Sequence, residues 1–401
     1  MIDFTVVADV VLGALAVPVV AITGYLFTLT ILSTRAKRAV PAPPQTRFVF
    51  VVPAHDEAVG IAATVESLLA VDYPATLRRV LVVADNCSDD TALRARASGA
   101  LVLERTDAER RGKGYALALA FDHVLADGDA DAVVVVDADT VVSKGLLRAF
   151  AARLDEGESA LQAHYGVRNP DASWRTRLMA IALAAYHGVR SLGRERLALS
   201  CGLRGNGMCF TTSLLREVPN RSVSLVEDVE YGIELGRAGH RVAYVHDAEV
   251  LGEMVSGAKA SAAQRQRWES GRAMMVRTYA GPLLRKGLAD ADPVALDLGI
   301  DIVVPPLATI AIATVLGGAL ALGLSLHAGH VLGATWLWAG CALALGAYVA
   351  RGWQLSGTGF RGLTAFFHVP GYVLWKLSLP LRRRAAPPGE WVRTAREGEA
   401  P

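Results

Sequence analysis

The chain is 401 residues long, 52% hydrophobic and 20% charged, with 41 basic against 39 acidic side chains and a net charge of +2. Its mean hydropathy is +0.32. This composition excludes a disordered, collagenous or disulfide-scaffold chain, and so balanced a charge supplies no field for collecting nucleic acid. The apolar excess is gathered into a few runs, which points to membrane segments rather than one oversized core. Cys87, Cys201, Cys209 and Cys341 are scattered without a CxxC pair. They read as reduced, mostly buried thiols rather than zinc ligands or a disulfide frame.

The first run, Val6 to Leu32, carries one charge, Asp9, and is followed by Arg35, Lys37 and Arg38. It is long enough to span a bilayer. A cleavable signal peptide has its basic residues first. Here the order is reversed, so residues 1–38 read as a retained anchor with the N-terminus outside and the following chain in the cytoplasm. A Pro-rich linker, "VPAPPQ" at its centre, occupies residues 39–46.

The next unit alternates short β-branched runs with helical patterns. Strands are predicted at Phe48 to Val52, Val80 to Ala84, Leu101 to Leu103 and Ala132 to Val136. Helices are predicted over about 60–70, 89–98 and 114–125. Continuous apolar strands between helices predict a parallel α/β sheet buried on both faces. In such sheets a ligand sits beyond the carboxyl ends of the strands. After the first strand comes "PAHDE", Pro53 to Glu57; after the second, "ADNCSDD", Ala84 to Asp90; after the fourth, "DAD", Asp137 to Asp139. Acids therefore stand at three strand ends. No GxGxxG follows any of these strands and no GxxxxGK[ST] is present, which disfavours a Rossmann dinucleotide site or a P-loop. Carboxylates facing a phosphate ligand need a hard divalent cation between them, and Mg²⁺ or Mn²⁺ suits that place. Between the acidic ends lies "RRGKGYAL", where glycines flanking Lys113 allow the backbone to approach a diphosphate. Each element has a plainer reading by itself: a chance D-x-D, an Asx turn in which Asp89 or Asp90 caps the next helix, a solvated basic turn. Their joint placement is what points to a site.

Further on, "GNGMCF", Gly205 to Phe210, is a Gly-rich turn before a short strand. Glu227 and Asp228 open a helix that closes near Gly239, a C-cap candidate. "QRQRWESGR", Gln264 to Arg272, has the arginines and tryptophan of an interfacial helix. Leu298 to Leu326 carries only Asp301 and is expected to kink at Pro305 and Pro306; Val331 to Ala350 carries no charge and stops at Arg351. With the short turn His327 to His330, they predict a transmembrane hairpin over residues 298–350. Thr364 to Leu381 stops at Arg382, Arg383 and Arg384. A span there would put this basic cluster outside, so residues 360–384 read as an interfacial segment, with a fourth span as the alternative. Residues 385–401 read as a cytoplasmic tail.

Taken in order, Asp85, the Asp137-x-Asp139 pair, Glu227–Asp228 and Gln264-x-x-Arg267-Trp268 resemble the D, DxD, ED, QxxRW signature of inverting family 2 glycosyltransferases with a GT-A fold. They resemble most closely the membrane-integrated branch that holds cellulose, hyaluronan and chitin-oligosaccharide synthases and ceramide glucosyltransferase. The likeness runs from residue 47 to residue 275. It implies an α/β GT-A catalytic domain at 47–260 on the cytoplasmic side of a multi-pass cell (inner) membrane protein. It also implies an interfacial QxxRW helix at 261–285 and transmembrane helices at both ends.

By the same resemblance a UDP-sugar donor would be held by Pro53, Ala54, Glu57, Asp85, Lys113, Asp137, Gln264 and Arg267. Mg²⁺ or Mn²⁺ would sit on Asp137 and Asp139. Asp228 would be the general base, and Gly205, Asn206, Gly207, Glu227 and Trp268 would face the acceptor. The implied acceptor is a growing polysaccharide or oligosaccharide, with single transfer to a lipid as the alternative; membrane lipids are partners and nucleic acid is not. Two residues depart from the family's pattern, His55 in "PAHDE" and Asn86 in "DNCSDD". The C-terminal cyclic-di-GMP-binding domain of the cellulose synthases has no counterpart. About three spans are fewer than those enzymes carry, so export would call for an oligomer or a partner membrane protein. Two rival classes fit less well. A sugar nucleotidyltransferase opens with a Gly-rich activating loop, absent after the first strand, and a non-catalytic scaffold needs no carboxylates at three strand ends.

Overall fold

The structure, a computed structural model, describes residues 4–34, 43–224, 226–254, 270–369 and 371. The chain begins with α1 (Phe4–Leu32) and continues through β1 (Phe48–Ala54), α2 (Ile61–Leu69), β2 (Arg78–Asp85), α3 (Thr91–Ala97), β3 (Leu101–Arg105) and α4 (Lys113–Asp127). Next come β4 (Ala132–Val135), β5 (Thr140–Val142), α5 (Leu146–Asp155), β6 (Ala160–Val167) and α6 (Trp174–Leu183). A π-helical turn, Ala184–Val189, carries α6 into α7 (Arg190–Arg196), before β7 (Met208–Thr211), α8 (Thr212–Glu217), α9 (Glu227–Arg237) and β8 (Ala243–Gly252). The described remainder is helical: α10 (Gly281–Ala289), α11 (Pro293–Val303), α12 (Leu307–Ala328), α13 (Gly333–Leu355) and α14 (Gly359–Ala365).

The eight strands form one sheet in the order β3-β2-β1-β4-β7-β6-β8-β5. Its first half is parallel, as the alternation of runs predicts, with Phe48 opposite both Arg78 and Ala132. The second half corrects the expectation of a parallel sheet. β7 lies antiparallel between β4 and β6, β6 and β8 are parallel, and β5 is antiparallel to β8. The β-branched runs are continuous because both sheet faces are covered. Phe48, Phe50 and Val52 pack with Ile61, Val65 and Phe150 on one side. Val49 and Val51 pack with Leu117, Phe121 and Tyr231 on the other.

Helix starts and stops obey local chemistry. Asp89 Oδ1 accepts from the Thr91 backbone N–H at 2.9 Å, so the Asx turn at the head of α3 is made by Asp89 and not by Asp90. α9 ends where Gly239 adopts φ +91° and the His240 N–H reaches the Leu235 carbonyl at 2.9 Å, a Schellman closure.

Among the described residues three helices are long and apolar enough to cross a membrane: α1, α12 and α13. The run expected to span from Leu298 is instead two helices. Pro305 and Pro306 come directly after Val304, whose extended backbone (φ −56°, ψ 116°) ends α11, and the candidate span starts at Leu307. α11 belongs to the body of the protein: Leu298 and Ile302 are buried with Val226 and Ile233. The charge inside that run is explained by its partners. Asp301 pairs with Arg190 at 2.8 Å and Arg194 at 2.6 Å, and Asp297 pairs with Arg194 at 2.8 Å and with the Tyr25 hydroxyl at 2.8 Å. Asp9 has an equally local reason. Its carboxylate accepts from the N–H groups of Gly333 and Ala334 at 3.1 and 2.7 Å, and so caps α13 from the neighbouring helix. Of the segment expected over 360–384, the described part is the short α14 and a 3₁₀ turn, Phe366–His368, with His368 stacked 4.8 Å from Trp174. The rest of that segment, the basic clusters at 35–38 and 382–384, and the 385–401 tail lie outside the described residues.

Candidate active site

The acids at the strand ends converge. β1 ends in Pro53 and Ala54, and the turn after it is clasped to the turn after β2. His55 Nδ1 lies 2.7 Å from the Asp85 carbonyl, the Glu57 N–H donates to Thr91 Oγ1 at 2.7 Å, and the Ser88 N–H donates to Asp56 Oδ1 at 2.6 Å. The two departures from the family pattern thus have structural work. His55 ties the two turns together, and Asn86 takes the left-handed backbone (φ 53°) that asparagine tolerates, its Oδ1 accepting from the Asp107 N–H at 2.8 Å. Asp56, Cys87 and Asp89 are the grouping of three potential metal ligands found among the described residues. Their acceptor atoms serve the backbone N–H groups of this double turn.

Asp85 is buried at the end of β2, its Oδ1 accepting from Arg105 at 2.6 Å and from Asn86 at 3.0 Å. Asp137 and Asp139 come after β4. The Asp137 N–H donates to Asn206 Oδ1 at 3.2 Å, and Asn206, fully buried, donates to Thr140 Oγ1 at 2.8 Å. The Gly-rich turn is therefore threaded under the D-x-D segment. Gly205 and Gly207 have φ of +75° and +69°, and a Cβ on Gly207 would lie 2.8 Å from Val250, so neither position admits a side chain without strain.

Lys113 is the first residue of α4, and its ammonium sits at the centre. It donates to Asp137 Oδ1 at 2.6 Å and to the Gly205 carbonyl, and lies 3.9 Å from Glu227 Oε1. A Cβ on Gly205 would lie 3.2 Å from Asp228 Oδ2 and 3.6 Å from Lys113 Nζ. Asp228 therefore faces the same small space. Burial pushes Glu227 up to about 7, against the pull of Lys113 and with the push of Asp228. Burial likewise raises Asp228, opposed by Lys113. For Lys113, burial works against the charge, and the carboxylates of Asp137, Glu227 and Asp228 outweigh it, so its pKa stands above the usual lysine range.

The structure thus brings together Pro53, Ala54, Glu57 and Asp85 at one edge and Lys113, Asp137, Gly205, Asn206, Gly207, Glu227 and Asp228 at the centre, with Asp139 accepting from Thr140 Oγ1 and near enough to Tyr165 for its charge to act there. Gln264, Arg267 and Trp268 lie outside the described residues. Three neighbours were not expected from sequence. Gln162 reaches the Gly-rich turn from β6, donating to the Asn206 carbonyl at 2.7 Å and accepting from the Arg204 N–H at 2.9 Å. Arg204 lies over the Tyr186 ring, 4.2 Å from its centroid. Tyr165 stacks on His187, and burial, then the charges of Asp137 and Asp139, push its hydroxyl above the phenol range. In sequence the sole signal for Gln162 and Tyr165 is polar residues within a strand.

The donor atoms here are all oxygen, and in this structure Asp137, Glu227 and the Gly205 carbonyl already face one cation, the Lys113 ammonium. That chemistry fits a hard divalent ion on Asp137 and Asp139.

A mannosyltransferase of Pyrobaculum calidifontis, solved with GDP-Man and Mn²⁺, is 18% identical, covers 91% of this chain and 99% of its own, and superposes with a TM-score of 0.53, which shows the shared GT-A fold. The β-monoglucosyldiacylglycerol synthase of Synechocystis is 29% identical over 237 residues, 57% of this chain and 48% of that protein. A probable glycosyltransferase of Bacillus subtilis is 24% identical over 57% of this chain and 56% of its own length. The chain spans about half the length of these two curated relatives. The family described as "Glycosyltransferase like family 2" matches residues 43–271, more than half of the chain. With the fold and the acidic strand ends in agreement, the chain belongs to glycosyltransferase family 2, enzymes that transfer sugars from nucleotide-sugar donors.

Proposed function

We propose that this protein is a membrane-bound inverting glycosyltransferase that moves a sugar from a UDP-sugar to an acceptor hydroxyl presented at the membrane surface. The observation that carries the reading is the ring of carboxylates around Lys113: Asp137, Glu227 and Asp228 face one space beyond the strand ends. In this reading Asp85, with Pro53, Ala54 and Glu57, lines the nucleotide pocket. Asp137 and Asp139 hold Mg²⁺ or Mn²⁺, which when bound supplies positive charge against the departing diphosphate. Lys113 and the N-terminus of α4 offer the diphosphate a second cationic partner. Asp228 takes the proton of the attacking hydroxyl; a buried carboxylate with a raised pKa is a stronger base than an exposed one. Gly205 to Gly207 and Glu227 border the acceptor; of the QxxRW residues, Gln264 and Arg267 would serve the donor and Trp268 the acceptor.

Two acceptors fit this chemistry. The QxxRW sequence favours a growing polysaccharide or oligosaccharide. A lipid acceptor is favoured by the compact span bundle, in which Leu12, Ala16, Ala321, Ala334 and Trp338 are buried against one another, and by the name of the Synechocystis relative. In this reading the catalytic domain is cytoplasmic and the N-terminus outside, as the basic residues after α1 imply. The test is the full chain in nanodiscs, given a panel of UDP-sugars with either lipid or oligosaccharide acceptors, while UDP release, product length and anomeric configuration are recorded. Acceptor-dependent UDP release with an inverted product is expected. Release of pyrophosphate from a sugar phosphate and nucleotide, with no transfer, would overturn the reading.

A further inference from the structure

Lys113 stands where a cation is not favoured by its own helix. It is the first residue of α4, whose unpaired N–H groups already concentrate positive potential. The side chain is nonetheless held on the carboxylates, 2.6 Å from Asp137 Oδ1 and 3.9 Å from Glu227 Oε1. Its backbone has no room to withdraw. Gly112 takes φ +131°, and a Cβ on Gly114 would lie 2.3 Å from the Ser222 carbonyl oxygen, so the start of α4 is pinned against the loop before α9. Any movement of the ammonium is therefore a side-chain rotation.

We propose that Lys113 is a placeholder cation, which occupies the carboxylate place of the divalent ion until the donor diphosphate draws it away, so that metal and nucleotide-sugar bind as a coupled pair. The proposal rests on the reading of Asp137 and Asp139 as metal ligands. A divalent ion on Asp137 and an ammonium on the same carboxylate repel strongly in a pocket of low dielectric. A diphosphate removes the conflict. It gives the N–H groups of α4 and the lysine an anion to face, and it leaves the Asp137 oxygen to the metal. Linkage then requires that metal strengthen donor binding by the factor by which donor strengthens metal binding.

The experiment is a Mn²⁺ titration of the full chain in nanodiscs, monitoring the EPR signal of the free ion, with and without UDP. Wild type is expected to bind Mn²⁺ weakly alone and at least about tenfold more tightly with UDP. Lys113→Met is expected to bind Mn²⁺ alone about tenfold more tightly than wild type, and Lys113→Arg to stay near wild type, because charge and reach are kept. Lys113→Gln, which can still donate to the Gly205 carbonyl, serves the same purpose should the methionine variant fail to fold. Unchanged or weaker Mn²⁺ binding in both neutral variants overturns the placeholder role. Asp139→Asn separates the two layers. If it loses Mn²⁺ while the Lys113 variants gain nothing, the lysine's role alone fails. If it binds Mn²⁺ as wild type does in the presence of UDP, the metal assignment fails as well.

Discussion

At the scale of the residue, the proposed chemistry turns on a few carboxylates whose partners would set their tasks. Asp228 is half-buried, its pKa raised, and faces the Gly-rich turn, whereas Asp85 is tied to Arg105. Asp228→Asn keeps the shape and removes the proton acceptor. Transfer is expected to fall by at least about a hundredfold, while UDP-sugar binding, measured by calorimetry, stays within a few-fold. An equal loss of donor binding would make Asp228 a donor ligand instead. These acids are legible in the sequence because an α/β sheet gathers the turns at the carboxyl ends of its parallel strands along one edge, so "PAHDE", "ADNCSDD" and "DAD" identify themselves by position. Gln162 and Tyr165 are not legible. They sit inside a strand, and their approach to the site comes from pairings with later strands, Gln162 opposite Met208 of β7 and Tyr165 opposite Val250 of β8.

Among the elements, the join between α7 and α11 carries the most consequence. Arg194 is fully buried between Asp297, Asp301 and Tyr25, and Arg190 lies between Asp301 and Tyr348. One cluster of charges thus links the catalytic domain to α1 and α13. Burial works against Asp301, but Arg194 and Arg190 overcome it and hold its carboxyl well below the usual range. Arg194→Met would leave Asp297 and Asp301 short of a countercharge. Such a break costs about 3–5 kcal/mol, so a lower thermal midpoint in detergent and fewer folded molecules are expected. Replacing Asp297 by Asn in that variant should recover part of the loss; no recovery would mean that arginine packing, and not charge, is what matters. In the sequence Asp301 is a single acid in an apolar run, because its partners lie more than a hundred positions upstream. The break at Pro305 and Pro306 is visible there, but a kink and a full separation look alike until the packing of Leu298 and Ile302 decides.

For the whole molecule, the sheet's parallel half can be read from the order of its runs, while the placement of β7, β6, β8 and β5 cannot, since three of those four pairings join distant strands. The arrangement of spans leads to a prediction about sidedness. A reporter after Arg38 should read cytoplasmic and one in the turn at His327 to His330 should read outside, by protease protection in intact cells. A reporter after Arg384 should also read cytoplasmic; if it reads outside, the stretch from Thr364 is a further span.

The close meeting of α1 with α7 has a consequence for how the enzyme sees its surroundings. A Cβ on Gly193 would come within 2.7 Å of the Leu29 carbonyl oxygen, and Arg194 reaches the Tyr25 hydroxyl at 2.6 Å. The N-terminal helix is thus a clamp and not a tether. A domain on a tether sweeps a volume and meets acceptors at many heights and angles. With the proposed membrane placement, a clamped one would keep its carboxylates at one elevation above the bilayer, in one orientation, and a membrane-borne acceptor would do the searching, by lateral diffusion in two dimensions. Choice of acceptor would then depend on how far a hydroxyl projects from the lipid surface as much as on the sugar or headgroup that bears it. Cutting away α1 to obtain a soluble enzyme would remove that ruler, and would bare the buried Arg194 to water in the same stroke.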